Sequence, residues 1–180
     1  MTFLDGIDSS WTLFLDRDGV INQRKWGGYI QTREEFVFLD GVKEAIAVFS
    51  ERFRYIFVVT NQQGIGKGLM TVRNLEEIHR YMFGEIEAAG GKLTKCYFAP
   101  ELKQENSSLR KPNSGMALQA AKDYEGIDFA KSVMVGDTDS DIEFGKRLGM
   151  KTVRVKTDEP ENTEADLVVN SLKELSKLLM

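Results

Sequence analysis

Trp11-Thr12-Leu13-Phe14-Leu15-Asp16-Arg17-Asp18-Gly19-Val20 is the stretch that decides the fold. Its first five residues form a short apolar and β-branched run, which reads as a strand covered on both faces. The run then meets two carboxylates, Asp16 and Asp18, two residues apart. Buried-strand ends rarely carry charge without a purpose, so the same stretch that announces a parallel sheet also announces a site at its carboxyl edge.

Working outward, similar runs recur at 55–59, 96–99, 132–135 and 152–155, with a short edge strand expected at 167–169. Between them lie helical stripes. Val42, Ala45, Ile46 and Phe49 share one face, as do Leu75, Ile78, Met82 and Ile86 after a cap at Thr71. Helices are also expected at 116–122 and 142–148, and Ser171 with Glu174 forms a capping-box pattern for a last one. Strands alternating with helices predict the α/β class: a doubly wound, Rossmann-like parallel sheet. No repeat or linker divides the chain, so one domain over 1–180 is expected. The stretches 23–36 and 100–114 read as loops at strand ends, where binding residues tend to sit.

Hydrophobic residues make up 42% of the chain, enough for a real core. The net charge of -4 comes without a long basic run, which disfavours nucleic acid and anionic membrane surfaces and points to a small soluble partner. One cysteine, Cys96, and one histidine, His79, exclude a disulfide framework and a zinc site of several Cys and His ligands. Asp5 and Asp8 stand where a secretory leader needs a basic flank, and no apolar stretch is long enough to span a bilayer, so a cytoplasmic location is the expectation. A monomer is the default.

Three further segments carry chemistry. The second strand runs into Thr60-Asn61, a hydroxyl and backbone amides suited to a phosphate oxygen. The fourth runs into Gly136-Asp137-Thr138-Asp139-Ser140-Asp141, and Arg110-Lys111-Pro112 supplies cations just upstream. Ligands bind such sheets at the carboxyl edge where strand order reverses, and the order 3-2-1-4-5 sets strands one and four side by side there. Asp16, Asp18 and Asp137 then meet. Carboxylates within about 4–6 Å of one another repel unless a cation neutralises them, and all-oxygen ligation favours Mg²⁺.

In this order the segments resemble the haloacid dehalogenase superfamily of phosphatases over nearly the whole chain. The resemblance implies that Asp16 attacks phosphorus to give an aspartyl-phosphate, that Asp18 is the acid/base, and that Thr60 and Lys111 hold the phosphoryl group. It implies Mg²⁺ on the side chains of Asp16 and Asp137 and the backbone carbonyl of Asp18, with Asp141 behind them. Closer still, Asp16 to Asn22, Phe38 to Val42, Thr60 to Ile65 and Arg110 to Met116 look like the subfamily of heptose-bisphosphate and histidinol-phosphate phosphatases. That likeness implies a sugar phosphate or bisphosphate substrate, no large cap domain, and substrate contacts from Arg110, with Asn61, Gln62 and Tyr29 as further candidates. Histidinol phosphate, a nucleic-acid 3′-phosphate end, a phosphoryl acceptor other than water and a non-catalytic phosphate-binding role are the alternatives. One departure is plain: many members carry a Cys/His zinc loop before the Arg-Lys-Pro segment, whereas 99–109 has neither residue, so no zinc is expected.

Plainer readings stand beside these. Asp16 and Asp18 would suit a simple turn, Lys111 a solvated charge, and Arg110 a surface pair with Glu101 or Glu105. A calcium loop at 137–148 fails, because Ile142 and Leu148 stand where its glycine and glutamate belong. Gly64, Gly66 and Gly68 match neither nucleotide fingerprint. Asn61 is expected to act through its backbone, Arg17 to point away from the aspartates, His79 to lie on the surface, and Cys96 to be a small buried hydrophobe.

Overall fold

A computed structural model describes residues 2–180. Among them a six-stranded sheet runs in the order β3-β2-β1-β4-β5-β6, parallel throughout. The strands are β1 (Thr12–Leu15), β2 (Tyr55–Asn61), β3 (Lys95–Ala99), β4 (Ser132–Gly136), β5 (Lys151–Val155) and β6 (Leu167–Val169). The expected order is found, with the short last strand extending the edge beside β5. No cap domain interrupts the described residues.

Alternation along the strands explains two cores rather than one. Leu13 and Leu15 of β1, Val58 of β2 and Val133 and Val135 of β4 point to one face. Phe14, Phe57, Val59 and Met134 point to the other. The first face is covered by α1 (Val42–Arg52), α3 (Val72–Ala88) and α6 (Leu172–Leu178), whose apolar stripes supply Phe49, Ile78 and Leu175 among others. The second face is covered by α4 (Gly115–Asp123) and α5 (Asp139–Arg147), with Met116, Ala120 and Phe144. Each fully buried Leu or Phe is worth about 1.5–3 kcal/mol, so covering both faces is what makes a central strand as apolar as β1 stable.

Helix starts follow their side chains. Thr71 caps α3 and Thr138 caps α5, each accepting the backbone N–H three residues on, so α5 begins at Asp139 rather than at the first apolar residue, Ile142. Ser171 caps α6 by accepting from the Glu174 amide, but Glu174 answers to the Asn170 amide rather than to Ser171. A one-turn α2 (Gln63–Gly66) follows β2 and turns the chain over the sheet edge.

Hydrogen bonds from side-chain amides and backbone organise the loop over 99–109. Asn113 Nδ2 donates to Asn106 Oδ1 and to the Ser107 carbonyl, and the Gly115 amide donates to the Ser108 carbonyl. Gln63 ties this loop to the one after β1: its Nε2 donates to Tyr29 Oη and its Oε1 accepts from the Lys103 amide. Amide side chains thus stitch together the two irregular segments that flank the sheet edge.

Candidate active site

The register of β1 against β4 pairs Leu15 with Val135, and the Asp16 amide donates to the Val135 carbonyl at 2.9 Å. Asp16 and Asp137 are therefore the tips of adjacent strands. Asp16, Asp137 and Asp141 each offer a carboxylate oxygen within 4.8 Å of the others, and all three are buried. Two glycines permit this crowding. Gly19 has φ +85°, and a Cβ there would collide with the Asp137 carboxylate; at Gly136 a Cβ would strike the Asp141 side chain.

Lys111 lies at the centre with only 3% of its surface exposed. Its Nζ donates to Asp16 Oδ1 at 2.8 Å, Asp141 Oδ1 at 2.7 Å and the Val59 carbonyl at 2.7 Å. Its position is fixed from β2. Asn61 Oδ1 accepts from the Lys111 amide and Asn61 Nδ2 donates to the Lys111 carbonyl, so the Asn61 side chain holds the Lys111 backbone in place. Asp141 is fully engaged: its second oxygen accepts the amides of Asp137 and Thr138, each at 3.1 Å.

Burial sets the ionisation of the cluster. Desolvation, then the Asp141 charge, push the Asp16 carboxyl up to about 6 despite Lys111. Desolvation, then the Asp16 and Asp141 charges, push Asp137 up to about 8, against the pull of Arg24 and Lys111. Asp18 is held differently. Burial opposes its charge, but the Arg17 guanidinium outweighs it together with hydrogen bonds from Asn22, Arg17 and Gln62, and the carboxyl lies below the usual range. Arg17 Nη2 and Asn22 Nδ2 donate to its Oδ1 at 2.8 and 2.9 Å, and Gln62 Nε2 to its Oδ2 at 3.0 Å.

Several expected residues take other places. The Asp18 carboxylate stands outside the acidic trio, whose third member is Asp141. Arg17 does not point away from the aspartates but returns to Asp18. Gln62 is 1% exposed and its amide donates to Asp18; Thr60, equally buried, accepts from Gln62 Nε2 at 2.9 Å. His79 is not on the surface: it is buried, with Nε2 3.1 Å from Arg17 Nη1, and Cys96 is only partly buried, its Sγ 3.8 Å from the same nitrogen. The helical spacing holds the missed signal, since His79 is four residues after Leu75 and falls within the buried stripe of α3.

Above this floor opens a cavity of about 480 Å³. Asp16, Asp18 and Lys111 reach it from below, and Tyr29, Lys67, Trp26 and Arg110 stand along its walls. Among the described residues no carboxylate pairs with Arg110, whose buried Nη1 has no partner.

Arg24 was not singled out by its sequence. Its Nη2 donates to Asp137 Oδ2 at 2.7 Å and lies 3.5 Å from the Asp18 carbonyl, while Nη1 pairs with Glu159 and the guanidinium sits over the Trp26 ring. Arg154, also missed, is buried and donates to the Asp137 carbonyl and to Asp139, fixing the turn after β4.

A family model described as "HAD-hyrolase-like" matches residues 108–175. A D-glycero-D-manno-heptose-1,7-bisphosphate 7-phosphatase of Chlorobaculum tepidum is 35% identical over 168 residues, covering 87% of this chain and 84% of that one. A D-glycero-alpha-D-manno-heptose-1,7-bisphosphate 7-phosphatase of Burkholderia mallei is 36% identical, covering 93% and 92%. Among solved structures, a D,D-heptose 1.7-bisphosphate phosphatase from B. bronchiseptica, complexed with magnesium and phosphate, superposes with a TM-score of 0.82 at 27% identity, covering 94% of this chain and 97% of that one.

Proposed function

The chain belongs to the haloacid dehalogenase superfamily of phosphatases, in the subfamily of the heptose-bisphosphate phosphatases, and on that premise we propose that it hydrolyses a sugar bisphosphate, heptose 1,7-bisphosphate first among the candidates, with Mg²⁺ and through an aspartyl-phosphate on Asp16. The observation that carries this reading is Lys111 Nζ bridging Asp16 and Asp141 beside Asp137, at the floor of a cavity lined by Arg110 and Lys67, neither of which has a carboxylate partner among the described residues.

The residues present fit the ion. Asp137 Oδ1 is buried without a hydrogen-bond partner, in a trio of carboxylates that repel one another. Asp16, Asp137 and the carbonyl of Asp18 would hold Mg²⁺, while Asp141, with both oxygens already engaged, holds Lys111. When bound, the ion neutralises the acidic cluster and gives one phosphate oxygen a fixed place. In the first step an Asp16 oxygen attacks phosphorus and the bond to the leaving oxygen breaks with its electron pair, the oxygen taking a proton that Asp18 binds in the substrate complex, where the negative charge of the phosphate opposes the Arg17 guanidinium that otherwise holds its carboxyl low. Water then attacks the same phosphorus, gives its proton to Asp18, and frees phosphate and the Asp16 carboxylate. Lys111 places positive charge beside the equatorial phosphoryl oxygens throughout.

Phosphate release measured over a panel of phosphorylated metabolites tests the substrate reading. Heptose 1,7-bisphosphate should give the highest kcat/KM, and a clear preference for histidinol phosphate would contradict it. Arg110 is assigned to the non-reacting end of the substrate. A charged hydrogen bond of about 1.5–3 kcal/mol is roughly ten- to a hundredfold in affinity, so Arg110→Ala should raise KM by that factor with kcat little changed.

The acidic cluster also sets a pH dependence. Asp16 and Asp137 have folded-state values raised to about 6 and about 8, so each favours folding fully only below the ordinary carboxylate range and loses that contribution as pH rises through its raised value. Chelator-treated protein should therefore melt lower at about pH 9 than at about pH 5. Added Mg²⁺, which needs the ionised carboxylates, should raise Tm more at the higher pH. Equal Mg²⁺ stabilisation at both ends would argue against ligation by this cluster.

A further inference from the structure

Arg17 is fully buried in the turn after the nucleophile, and a buried guanidinium must have its donors satisfied or it destabilises the site. Its Nε and Nη2 face Asp18 Oδ1, at 3.3 and 2.8 Å. Its Nη1 faces His79 Nε2 at 3.1 Å, and the Phe36 ring lies 5.7 Å from Cζ. His79 comes from α3, on the far side of β2 in sequence, and nothing in the proposed reaction uses it. Desolvation, then the Arg17 charge, push its imidazole down to about 3, so it is neutral at any working pH. With Arg17 able only to donate, Nε2 must be the acceptor and Nδ1 must carry the proton.

We propose that His79 is a positioning residue: by accepting from Arg17 it fixes the guanidinium plane, and through it the direction of the Asp18 carboxyl group, which carries a proton to the leaving oxygen in the substrate complex. This rests on the acid/base reading of Asp18 given above. The arrangement is a chain of two hydrogen bonds from helix to turn to site. Asp18 keeps 27% of its side chain exposed toward the cavity, so its orientation is not fixed by packing alone. Gln62 and Asn22 hold Asp18 from other directions, but both are neutral amides, and Arg17 alone of the three brings a full positive charge. Losing the acceptor at Nη1 leaves Arg17 free to turn toward another partner, carrying Asp18 away from the leaving group without touching the ion cluster or the cavity walls.

The test separates positioning from simple support of the fold. The value of kcat/KM reports the phosphoryl-transfer step, in which an alkoxide leaving group needs Asp18's proton and p-nitrophenolate scarcely does. In His79→Leu, kcat/KM for a sugar phosphate should fall roughly 10- to 100-fold, within the usual span of general acid catalysis, while that for p-nitrophenyl phosphate changes less than about threefold. His79→Gln, which restores an acceptor, should recover the sugar phosphate rate to within about threefold of wild type. If His79→Leu does not fold, Arg17→Lys cuts the same link while keeping the cation, and should show the same leaving-group split. Equal losses on both substrates, no loss on either, or no rescue by glutamine would overturn the proposal. Wild-type protein that hydrolyses neither substrate would instead overturn the functional reading beneath it.

Discussion

Asp16→Asn is expected to lower kcat by at least about 10⁴-fold and to leave a folded protein, because it removes a nucleophile without changing the shape of the side chain. The structure accommodates the amide. Lys111 keeps Asp141 and the Val59 carbonyl as partners, and the oxygen of the introduced amide can still accept from it. The NH₂ group faces a neighbourhood in which Asp137 Oδ1 lacks a donor. Without metal, Asp16 is a buried carboxyl pushed up to about 6 by desolvation and by Asp141, so its charge works against folding at neutral pH. The variant should therefore melt at or above the wild-type temperature when chelated, and gain less from Mg²⁺. Calorimetry with and without Mg²⁺ beside a phosphate-release assay checks both halves. Persistent turnover would remove Asp16 from the chemistry.

Lys111→Met carries the largest expected loss of stability. Lysine and methionine have similar length, so the change deletes the ammonium and little volume. What remains is Asp16 and Asp141 with no cation between them, and Val59 with its carbonyl unpartnered. Breaking a buried ion pair by removing one member costs about 3–5 kcal/mol, which at this size is a fall of roughly 6–20 °C in Tm. Burial opposes the lysine's charge, but Asp141 and Asp16 outweigh it and hold its pKa above the ordinary value, so this stabilisation is fully present at neutral pH. The defect should shrink as pH falls through about 6 and Asp16 protonates. Mg²⁺ should restore part of the stability and little of the activity, because the charge beside the phosphoryl oxygens is gone. A variant as stable as wild type at neutral pH would mean that Lys111 does not compensate buried negative charge there.

What could be read from sequence follows the backbone. β1 and β4 are apolar enough to require cover on both faces, the parallel sheet sets them side by side, and acids that follow each strand directly must then meet. Asp16 and Asp137 were legible for that reason, whereas Lys111 was legible through the Arg-Lys-Pro segment and the family it resembles. Which carboxylates face one another was not, because it depends on side-chain directions. Asp18 is turned aside by Arg17, Asn22 and Gln62, and Asp141 reaches back from the first turn of α5 through the gap left by Gly136. Arg24 depended on the path of an irregular loop, for which no periodicity exists. His79 is the opposite case: its place in the α3 stripe was present in the spacing, and a polar residue type hid it.

The most direct measurement is chemical. Protein mixed with Mg²⁺ and the sugar bisphosphate, quenched in acid during turnover and reduced with borohydride, should carry homoserine at position 16, since reduction of an aspartyl-phosphate converts that side chain to the alcohol. Asp18→Asn given p-nitrophenyl phosphate, whose leaving group scarcely needs a proton, forms the intermediate but is slowed in the hydrolytic step, and should accumulate more of it. Homoserine at Asp137 or Asp141 instead, or none at any aspartate while phosphate is being released, would contradict the assignment of Asp16 as the residue that takes the phosphoryl group.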